Sequence, residues 1–548
     1  MSGPSTGDIF EVTARDALAR TGRYTRSGET VATPAIIDPA VYFPDLFCRP
    51  VSNVPLSSSG DFADRYLVTG TDQPVAVHPA VAPGAESGDC AMPGCWHTAL
   101  DHPEAYLRWL LTLKREIAPD VAWYAPWTAL PANLCLLVYS GFDLFDTGAV
   151  DLRSAQRIFC TTDGEFDAGM MDEGVCGCEG CQAGDLRLHN RLVLAMEAAS
   201  LRQAVRAGAI RERIEARCRS DPSQVAILRL LDRYPDLPER SLPVARNSPF
   251  RATSAESITR PEVRRFARRV AERFDPTRTD VTVLLPCSAR KPYSRSRSHH
   301  ALIAAIDHRA QEVIVTSPLG PVPRELEAVY PAAHYDVPVT GHWDREEQAI
   351  LAADLARYLE MHGGGRVIAH LDGGAREVAI RAAESAGVEL EHTCRDRPTT
   401  PTSLQALSEA LAGVPRKRHN IIGGVVSWQF GAHIRTDDLQ IRGRGLQKKV
   451  VRNRAQLFSI DPDTGLLRPT LEGWREIPGY RVTIDDFVPH GDVLAPGVVD
   501  ADPSIRPGDE VLVTGPSARA TGRAMMGADE MIRSQRGVAV RVRKTVRR

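Results

Sequence analysis

The stretch PCSARKPYSRSRSHH, residues 286–300, follows the apolar, β-branched run VTVLL at 281–285 and precedes the helical pattern ALIAAI at 301–306. A strand, a polar loop and a helix in this order are typical of the ligand-binding edge of an open α/β sheet. The loop carries a thiol, several hydroxyls, cations and two imidazoles, which is more reactive chemistry than a connecting loop needs. We therefore predict a functional site here; a plain basic surface loop is the alternative.

The chain around this loop repeats the order strand then helix. Predicted strands lie at 281–285, 312–316, 334–339, 366–371 and 388–393, and predicted helices lie near 301–309, 323–329, 344–361, 375–386 and 402–412. This spacing predicts a central domain, residues 276–413, with a parallel sheet and helices on both of its faces.

The first four predicted strands each end in a polar loop. Besides the 286–300 loop, these loops contain Ser317, His342, Asp344 and Asp372. Because ligands of such sheets bind beyond the carboxyl ends of the strands, we expect the four loops to meet at one edge. This convergence predicts an active site. The Gly-rich pieces alone are a weak signal, since neither a Walker lysine motif nor GxGxxG is present.

Three of the eleven cysteines form a tight cluster, CGCEGC at 176–181, and His189 follows eight residues later. Three thiolates and an imidazole are a soft, tetrahedral ligand set that suits structural zinc. The polar start, Met1 to Asp8, predicts no signal peptide, so a reduced, cytoplasmic location and a metal site are favoured over disulfides. A second group, Cys90, Cys95 and His97, lacks a fourth ligand, and we predict no metal there.

The composition limits the classes of partner. A length of 548 residues predicts three to four domains, and the apolar runs are too short to span a membrane. The net charge of −2 excludes a general polyanion binder. Basic clusters at 416–454 and 533–548 instead predict a local nucleic-acid site, with a solvated basic face as the alternative.

The flanking regions have less regular patterns. We predict a β-hairpin within 9–50, a helix at 106–117, a buried strand at 133–139, helices throughout 186–234, a linker at 235–257 and a basic amphipathic helix at 261–274. Further strands are predicted at 421–429, 447–459 and 466–471. The block from about residue 480 is small, basic and composed of short strands, which predicts an RNA-binding barrel.

Several motifs resemble known families. The final block, with APG at 495–497, RPGDEV at 506–511 and RGVAV at 536–540, resembles a PUA domain, the RNA-binding module of many tRNA-modifying enzymes. FEVTARDALARTGR at 10–23, GFDLFDTGA at 141–149 and the CGCEGC cluster are similar to archaeal tRNA-guanine transglycosylases. The 286–300 loop, with TSPLGPVPRELE at 316–327 and YDVPVTGHWD at 335–344, resembles the core domain of archaeosine synthases, which are transglycosylase paralogues. The resemblance implies zinc bound by Cys176, Cys178, Cys181 and His189.

The chain departs from the transglycosylases at their two catalytic aspartates. Asp146 matches the first, but no DSGGFQ-like stretch supplies the second between residues 51 and 134. We therefore interpret the N-terminal half as a degenerate β/α barrel for tRNA docking, with Asp146 as a vestigial carboxylate. The predicted α/β multidomain organisation is 1–235 for this barrel with zinc, 236–275 for a linker and helix, 276–413 for the catalytic domain, 414–478 for a small transglycosylase-like β domain, and 479–548 for PUA.

The resemblance implies a reaction at the nitrile of 7-cyano-7-deazaguanine in the D-arm of tRNA. The side chain of free L-lysine attacks the nitrile and forms an amidine-linked adduct, which a radical-SAM partner protein then cleaves. A nitrile needs its nitrogen polarised and an amine must lose a proton before it attacks, so the site needs proton carriers and hydrogen-bond donors. The modified base must also swing out of the folded tRNA.

Residue types in the loop suggest roles in this reaction. Cys287 adds to the nitrile as a nucleophile, or is a small buried residue. His299 carries the proton, and Lys291 stabilises the developing anion or contacts a phosphate. The side chains predicted to hold the base edge are those of Tyr293, Ser288, Ser296 and Ser298. Asp344 or Asp372 binds the incoming ammonium, and Ser317 and His342 line the substrate site.

Two other functions remain open from the sequence. An active transglycosylase would exchange guanine in tRNA through Asp146, and a non-catalytic scaffold would bind tRNA for a partner without chemistry of its own. A homodimer is an expectation by analogy with the transglycosylases.

Overall fold

The computed structural model describes residues 9–43, 90–91, 100, 102–338, 342–443 and 448–548. The chain divides into two compact units. The first comprises Met1–Ser248, Asp492–Val499 and Met525–Val540, and the second comprises Pro249–Gly491, Asp500–Ala524 and Arg541–Arg548. Within the described ranges no helix has the length and apolar content that a bilayer crossing requires. Cys95 and His97, for which we predict no metal, lie outside the described residues, as do residues 339–341.

The first unit opens with an antiparallel meander of Ile9–Asp16, Ala19–Arg26 and Glu29–Thr33. A parallel sheet follows, and its strands run in the spatial order Ala35–Ile36, Leu144–Phe145, Ala122–Ala125, Cys90–Ala91. A small hairpin joins Ile158–Thr161 to Gly164–Asp167. The larger helices are Pro103–Glu116, Leu134–Tyr139, Gly148–Ala155, Glu179–Ala183, Leu186–Ala207, Ile210–Arg217, Pro222–Leu231 and Asp236–Arg240.

The predicted strand at 133–139 is wrong, because Leu134–Tyr139 is a helix. All six of its residues are buried in the core of the first unit. A short run that is apolar on every face has no periodicity, so a buried helix and a buried strand look alike in sequence. The predicted helix at 106–117 is confirmed as Pro103–Glu116.

The second unit contains the predicted central sheet. Its strands lie in the order Gly320–Pro323, Gln311–Thr316, Val281–Pro286, Arg366–Ala369, Leu390–His392, and only the first is antiparallel to its neighbour. The helices of this region are Pro261–Glu272, Arg297–Ile306, Arg345–His362, Gly373–Ala386 and Pro401–Ala410. The strand-helix alternation therefore predicts a mainly parallel sheet correctly.

Several predicted elements of this unit differ. The described part of the predicted strand 447–459 is a hairpin of Lys449–Arg452 and Ala455–Ile460. Of the predicted strand 334–339, the structure describes residues 334–338, and among these Tyr335–Asp336 form a strand, which pairs with Phe250–Arg251 in a separate two-stranded sheet. The predicted helix 323–329 is the edge strand Gly320–Pro323 followed by a single turn at Arg324–Leu326. The predicted strand 421–429 is the helix Ile421–Phe430.

The caps explain the helix at 421–430. The Asn420 side chain accepts a hydrogen bond from the Gly423 N–H at 3.0 Å, and Gly431 ends the helix with a φ of 64°. An Asn at the start and a Gly just past the end are standard helix signals. Both cap residues are visible in the sequence, but the apolar run between them predicts a strand, and that prediction is wrong.

The C-terminal part is built from two sheets. The strands Gln440–Arg442, Lys449–Arg452, Ala455–Ile460 and Leu467–Pro469 form an antiparallel sheet. A six-stranded, nearly closed barrel follows, with the strand order Val493–Leu494, Val538–Arg547, Ala518–Ala524, Glu510–Thr514, Arg481–Ile484, Val498–Ala501. A short helix, Ala528–Arg533, lies between two of these strands in the chain. The protein is thus a mixed α/β multidomain chain with parallel sheets and a C-terminal β-barrel.

Candidate active site and metal centre

The 286–300 loop is shorter than predicted, because its last residues belong to a helix. Ser296 is the N-cap of the helix Arg297–Ile306, and its hydroxyl accepts a hydrogen bond from the His299 N–H at 3.2 Å. The Ser298 hydroxyl lies 3.1 Å from that of Ser296. Both serines therefore shape the helix start, where a capping side chain satisfies an otherwise free N–H, and neither hydroxyl is left without a partner in the chain.

Cys287 and Lys291 lie together at the carboxyl end of the central strand. The Cys287 thiol is exposed, directly after the strand ends at Pro286. The Lys291 ammonium lies 4.0 Å from the ring centre of Tyr335, a cation–π contact. Burial lowers the pKa of Lys291, and the charges of Cys287 and Asp336 oppose that shift. A thiol, an ammonium and an exposed carboxylate therefore share one neighbourhood.

Tyr293 is turned into the protein. Its side chain is fully buried, and its hydroxyl lies 2.7 Å from the Tyr335 hydroxyl, which in turn bonds the Thr316 hydroxyl. Burial raises the pKa of Tyr293 well above its usual range. The ring of Tyr335, and not the hydroxyls, contacts Lys291. Because the Tyr293 phenol is buried and hydrogen-bonded, its position argues against the predicted role at a base edge.

His299 is also buried and fully bonded. One ring nitrogen, Nε2, lies 3.0 Å from the Pro286 carbonyl, and the other, Nδ1, lies 2.9 Å from the Arg324 guanidinium. Burial and then Arg324 lower the pKa of His299 to about 4. A guanidinium only donates hydrogen bonds, so Nδ1 accepts and Nε2 carries the proton. This imidazole has no free lone pair, which argues against the predicted role as proton carrier.

The remaining predicted residues differ in whether their side chains form hydrogen bonds within the chain. The Ser288 hydroxyl donates to the Arg290 carbonyl at 2.9 Å, and the Ser317 hydroxyl bonds Glu347. Asp344 caps the helix Arg345–His362 through the Glu347 N–H at 2.8 Å. His342 is exposed.

Asp372 differs from Asp344, because its side chain does not cap the helix that follows it. It stands at the start of the helix Gly373–Ala386, is exposed, and makes no side-chain cap hydrogen bond. The adjacent Gly374 lies against the Trp343 indole, since a Cβ there would come within 3.5 Å of the ring. The strand order places the 372–374 loop beside the Cys287 loop.

Four residues of this region were missed from the sequence: Tyr335, Asp336, Arg324 and Glu327. Tyr335 and Asp336 were assigned to a core strand, whereas they lie beside Lys291. Arg324 and Glu327 fall within the predicted helix 323–329, and the structure shows that both are buried. The only available signal was a cluster of charges, RELE at 324–327, beside an apolar strand.

The second candidate site is the cysteine cluster. The ligand atoms of Cys176, Cys178, Cys181 and His189 all lie within 4.8 Å of one another. Nδ1 of His189 faces the Cys178 and Cys181 sulfurs at 3.3 and 3.2 Å. Its Nε2 donates to the Cys160 carbonyl at 3.1 Å, which orients Nδ1 as the ligand atom. Three thiolates and one imidazole in this arrangement fit a tetrahedral metal ion with no open position.

Asp146, the predicted vestigial carboxylate, is saturated by hydrogen bonds from its own chain. It is buried and accepts hydrogen bonds from the Tyr124 hydroxyl at 2.6 Å and from the Trp127 and Gly148 N–H groups at 3.0 and 2.7 Å. Its neighbour Asp143 is buried and paired with Arg20. No free carboxylate is present at this position, which favours a structural role for Asp146.

The chain is similar to several known proteins. A family model described as "Domain of unknown function (DUF5591)" matches residues 263–411, and a PUA domain model matches residues 480–546. The chain is 37% identical to an archaeosine synthase of Haloferax volcanii over 98% of this chain and 99% of that protein. It is 39% identical to an archaeosine synthase subunit alpha of Methanosarcina acetivorans, over 81% and 78%.

A more distant relative connects the chain to the transglycosylases. The tRNA-guanine(15) transglycosylase of Methanothermobacter thermautotrophicus is 28% identical, over 76% of this chain and 64% of that protein. The match at 37% identity over nearly the whole of both chains shows the family. The chain therefore belongs to the archaeosine synthases, tRNA-modifying enzymes of archaeosine biosynthesis, and is related to the tRNA-guanine(15) transglycosylases.

Proposed function

We propose that this enzyme adds the side-chain amine of free L-lysine to the nitrile of 7-cyano-7-deazaguanine in the D-arm of tRNA and forms an amidine-linked adduct. The observation that supports the proposal is the exposed Cys287 thiol beside the partly desolvated Lys291 ammonium, at the carboxyl edge of a parallel sheet. That edge is where such sheets bind ligands.

The first step is attack by sulfur. The Cys287 thiolate forms a C–S bond to the nitrile carbon, and one C–N π pair moves onto the nitrile nitrogen. That nitrogen takes a proton from Lys291, whose lowered pKa makes it a better acid than a free lysine. The product is a thioimidate, and Lys291 is left neutral.

The second step is attack by the amine. The neutral Lys291 first takes a proton from the ammonium of the incoming lysine side chain. The freed amine then forms a C–N bond to the same carbon, and the C–S bond breaks to release the thiolate, so the amidine leaves in its protonated form. Nitrile plus amine gives amidine, so no oxidant, reductant or nucleotide is consumed. Direct attack of the amine on the nitrile is the second route, and it uses Lys291 but not Cys287.

A carboxylate is needed to hold the ammonium group of the incoming amino acid. Asp372 fits best, because it is exposed and does not cap its own helix, whereas Asp344 is used as a cap. Asp336 is a further candidate beside Lys291. A carboxylate placed a few ångströms from an ammonium favours its binding and excludes neutral amines.

The other parts bind and orient the tRNA. In this proposal the Cys176, Cys178, Cys181 and His189 cluster holds structural zinc, and residues 1–235 form a degenerate transglycosylase barrel used for docking. The PUA barrel contacts the RNA. Relatives named as a subunit alpha support the existence of a further subunit. In this proposal, that partner is a radical-SAM protein that cleaves the adduct.

The test uses the purified full-length chain, tRNA carrying the nitrile base and isotope-labelled lysine, followed by mass measurement of the digested nucleosides. We expect one lysine mass added to the deazaguanosine. A bound but unchanged tRNA would instead support the scaffold alternative, and incorporation of labelled guanine would support the transglycosylase alternative. Other labelled amino acids serve as controls for the choice of amine.

A further inference from the structure

Arg324 forms hydrogen bonds to three residues in and around the 286–300 loop. Its side chain is buried, and its guanidinium donates to Glu312 on the strand Gln311–Thr316 at 2.8 Å and to Glu327 at 2.7 Å. It also donates to His299 on the helix Arg297–Ile306 at 2.9 Å. A planar fork with five donors suits such a three-way contact, whereas an ammonium does not.

The contact to His299 holds the start of the loop. Because Arg324 donates to Nδ1, the His299 proton must sit on Nε2, which donates to the Pro286 carbonyl at 3.0 Å. Pro286 is the residue immediately before Cys287. The imidazole therefore fixes the backbone from which the thiol projects.

The contact to Glu327 holds the other end of the loop. The carboxylate oxygen that accepts from Arg324 also accepts from the Ser294 N–H at 2.9 Å. Ser294 lies in the single turn Tyr293–Arg295, shortly after Lys291. One guanidinium thus anchors both ends of the segment that carries Cys287 and Lys291.

We propose that Arg324 is a positioning residue, which sets the separation of Cys287 and Lys291 through His299 on one side and Glu327 on the other, and that His299 acts as a hydrogen-bond donor and not as a proton carrier. This inference rests on the proposed function, in which the thiol and the ammonium act on one nitrile. Misplacement by about 1 Å costs roughly 10²-fold in rate.

Two substitutions at His299 test the donor role. His299→Gln keeps an N–H that reaches the Pro286 carbonyl but cannot move a proton near neutral pH, and His299→Leu keeps neither function. We expect kcat within about tenfold of the parent for the glutamine variant and a loss of about 10²-fold for leucine. The KM for tRNA should stay unchanged in both. Equal losses in the two variants, or no loss in either, would overturn the proposal.

Arg324→Lys tests the fork, because it keeps the charge and loses the three-way contact. We expect kcat to fall by about 10²-fold with an unchanged KM for tRNA. Arg366→Lys is the matched control, since Arg366 pairs with Glu391 in an exposed position, and it should keep full kcat. An Arg324→Lys variant as active as this control would refute the role.

Folding and the proposed function are followed separately. Thermal unfolding identifies a variant that does not fold. If His299→Leu does not fold, the kcat of His299→Gln alone tests the donor role, and a loss of more than about tenfold overturns the inference. The alkylation rate of the Cys287 peptide, measured by mass spectrometry, should change in Arg324→Lys and not in Arg366→Lys. If the parent protein transfers no lysine at all, the proposed function fails, whereas the alkylation rates still judge the positioning role.

Discussion

Two sheet edges in this molecule carry reactive residues just beyond a parallel strand, yet they are in opposite states. Asp146 follows the strand Leu144–Phe145, is buried, and receives hydrogen bonds from Tyr124, Trp127 and Gly148. Cys287 follows the strand Val281–Pro286 and is exposed beside Lys291. The carboxylate at the first edge accepts hydrogen bonds from its own chain, whereas the thiol at the second edge is exposed to solvent.

The difference separates a carboxylate that is already hydrogen-bonded from a thiol that is accessible to a reactant. A carboxylate that accepts several hydrogen bonds from its own chain is a poor nucleophile, because attack would break them. An exposed thiol next to an ammonium has no such competing bonds. The exposed thiol of the central sheet is therefore a better candidate nucleophile than the buried Asp146 carboxylate.

The largest effect should follow from Cys287→Ala. If the thiol is the nucleophile, lysine transfer should fall by about 10³-fold or more, because a covalent route loses its attacking atom. The measurement is the rate of adduct formation on nitrile tRNA. Cys394→Ala is the control, since that thiol is half-buried and follows the strand Leu390–His392 at the same sheet. Full transfer by Cys287→Ala would leave direct attack by the amine.

A smaller effect should follow at the metal cluster. Cys181→Ser replaces one of the four ligands. Metal affinity should fall by at least about 10- to 100-fold, which is the loss typical for substituting a residue that only hydrogen-bonds to a metal ligand. The metal content after dialysis and the unfolding temperature of the full chain are the readouts. Because thiolate ligands must lose their protons, binding should also weaken in acid. Unchanged metal content in Cys181→Ser would contradict the site.

Asp146→Asn should separate stability from activity. The amide keeps the size of the carboxylate but turns one acceptor into a donor that faces N–H groups, so the free energy of unfolding should fall by about 1–3 kcal/mol. Lysine transfer by the folded variant should stay within a few-fold of the parent. A loss of lysine transfer comparable with that of Cys287→Ala would mean that the first edge is catalytic, and the contrast between the two edges would be wrong.

The two regions should also respond to pH with opposite signs. His419 is clamped between Glu312 and Glu325, which raise its pKa from 6.5 to about 9 despite burial. Its contribution to the free energy of unfolding is complete below pH 6.5 and is lost as pH rises through 9. Between pH 7 and 9 this loss is about 2 kcal/mol.

Lys114, beside Trp123 in the first unit, behaves in the reverse way. Burial and the nearby Arg20 lower its pKa from 10.5 to about 7. The unfolded chain holds a proton that the folded chain has released, so this term raises the free energy of unfolding between pH 7 and 10.5. Denaturant unfolding should show this as a difference from the parent chain. Between pH 7 and 9 the free energy of unfolding of His419→Gln should rise relative to the parent, because the loss at His419 is removed. That of Lys114→Met should fall relative to the parent, because the gain at Lys114 is removed. The same slope in both variants would refute the assignment.

Local patterns predicted the parts of this protein that depend on neighbours in the chain. The alternation across 276–413 predicts the central sheet, because each strand and helix has its own periodicity. The metal cluster is predicted because three of its ligands lie within six residues of one another. The errors at 134–139 and 421–430 fall where an apolar run has no periodicity, and in the second case the caps held the missing information.

Residue chemistry alone determined that the 286–300 loop holds a thiol, an ammonium and imidazoles at the end of a buried strand. Only the tertiary structure decided which of them face solvent. His299 is neutral and bonded because Arg324, 25 positions away, donates to it, and Asp146 is saturated because Tyr124, 22 positions away, reaches it. The physical reason is that a side chain's reactivity depends on burial and hydrogen-bond partners, and partners distant in the chain are brought together by folding.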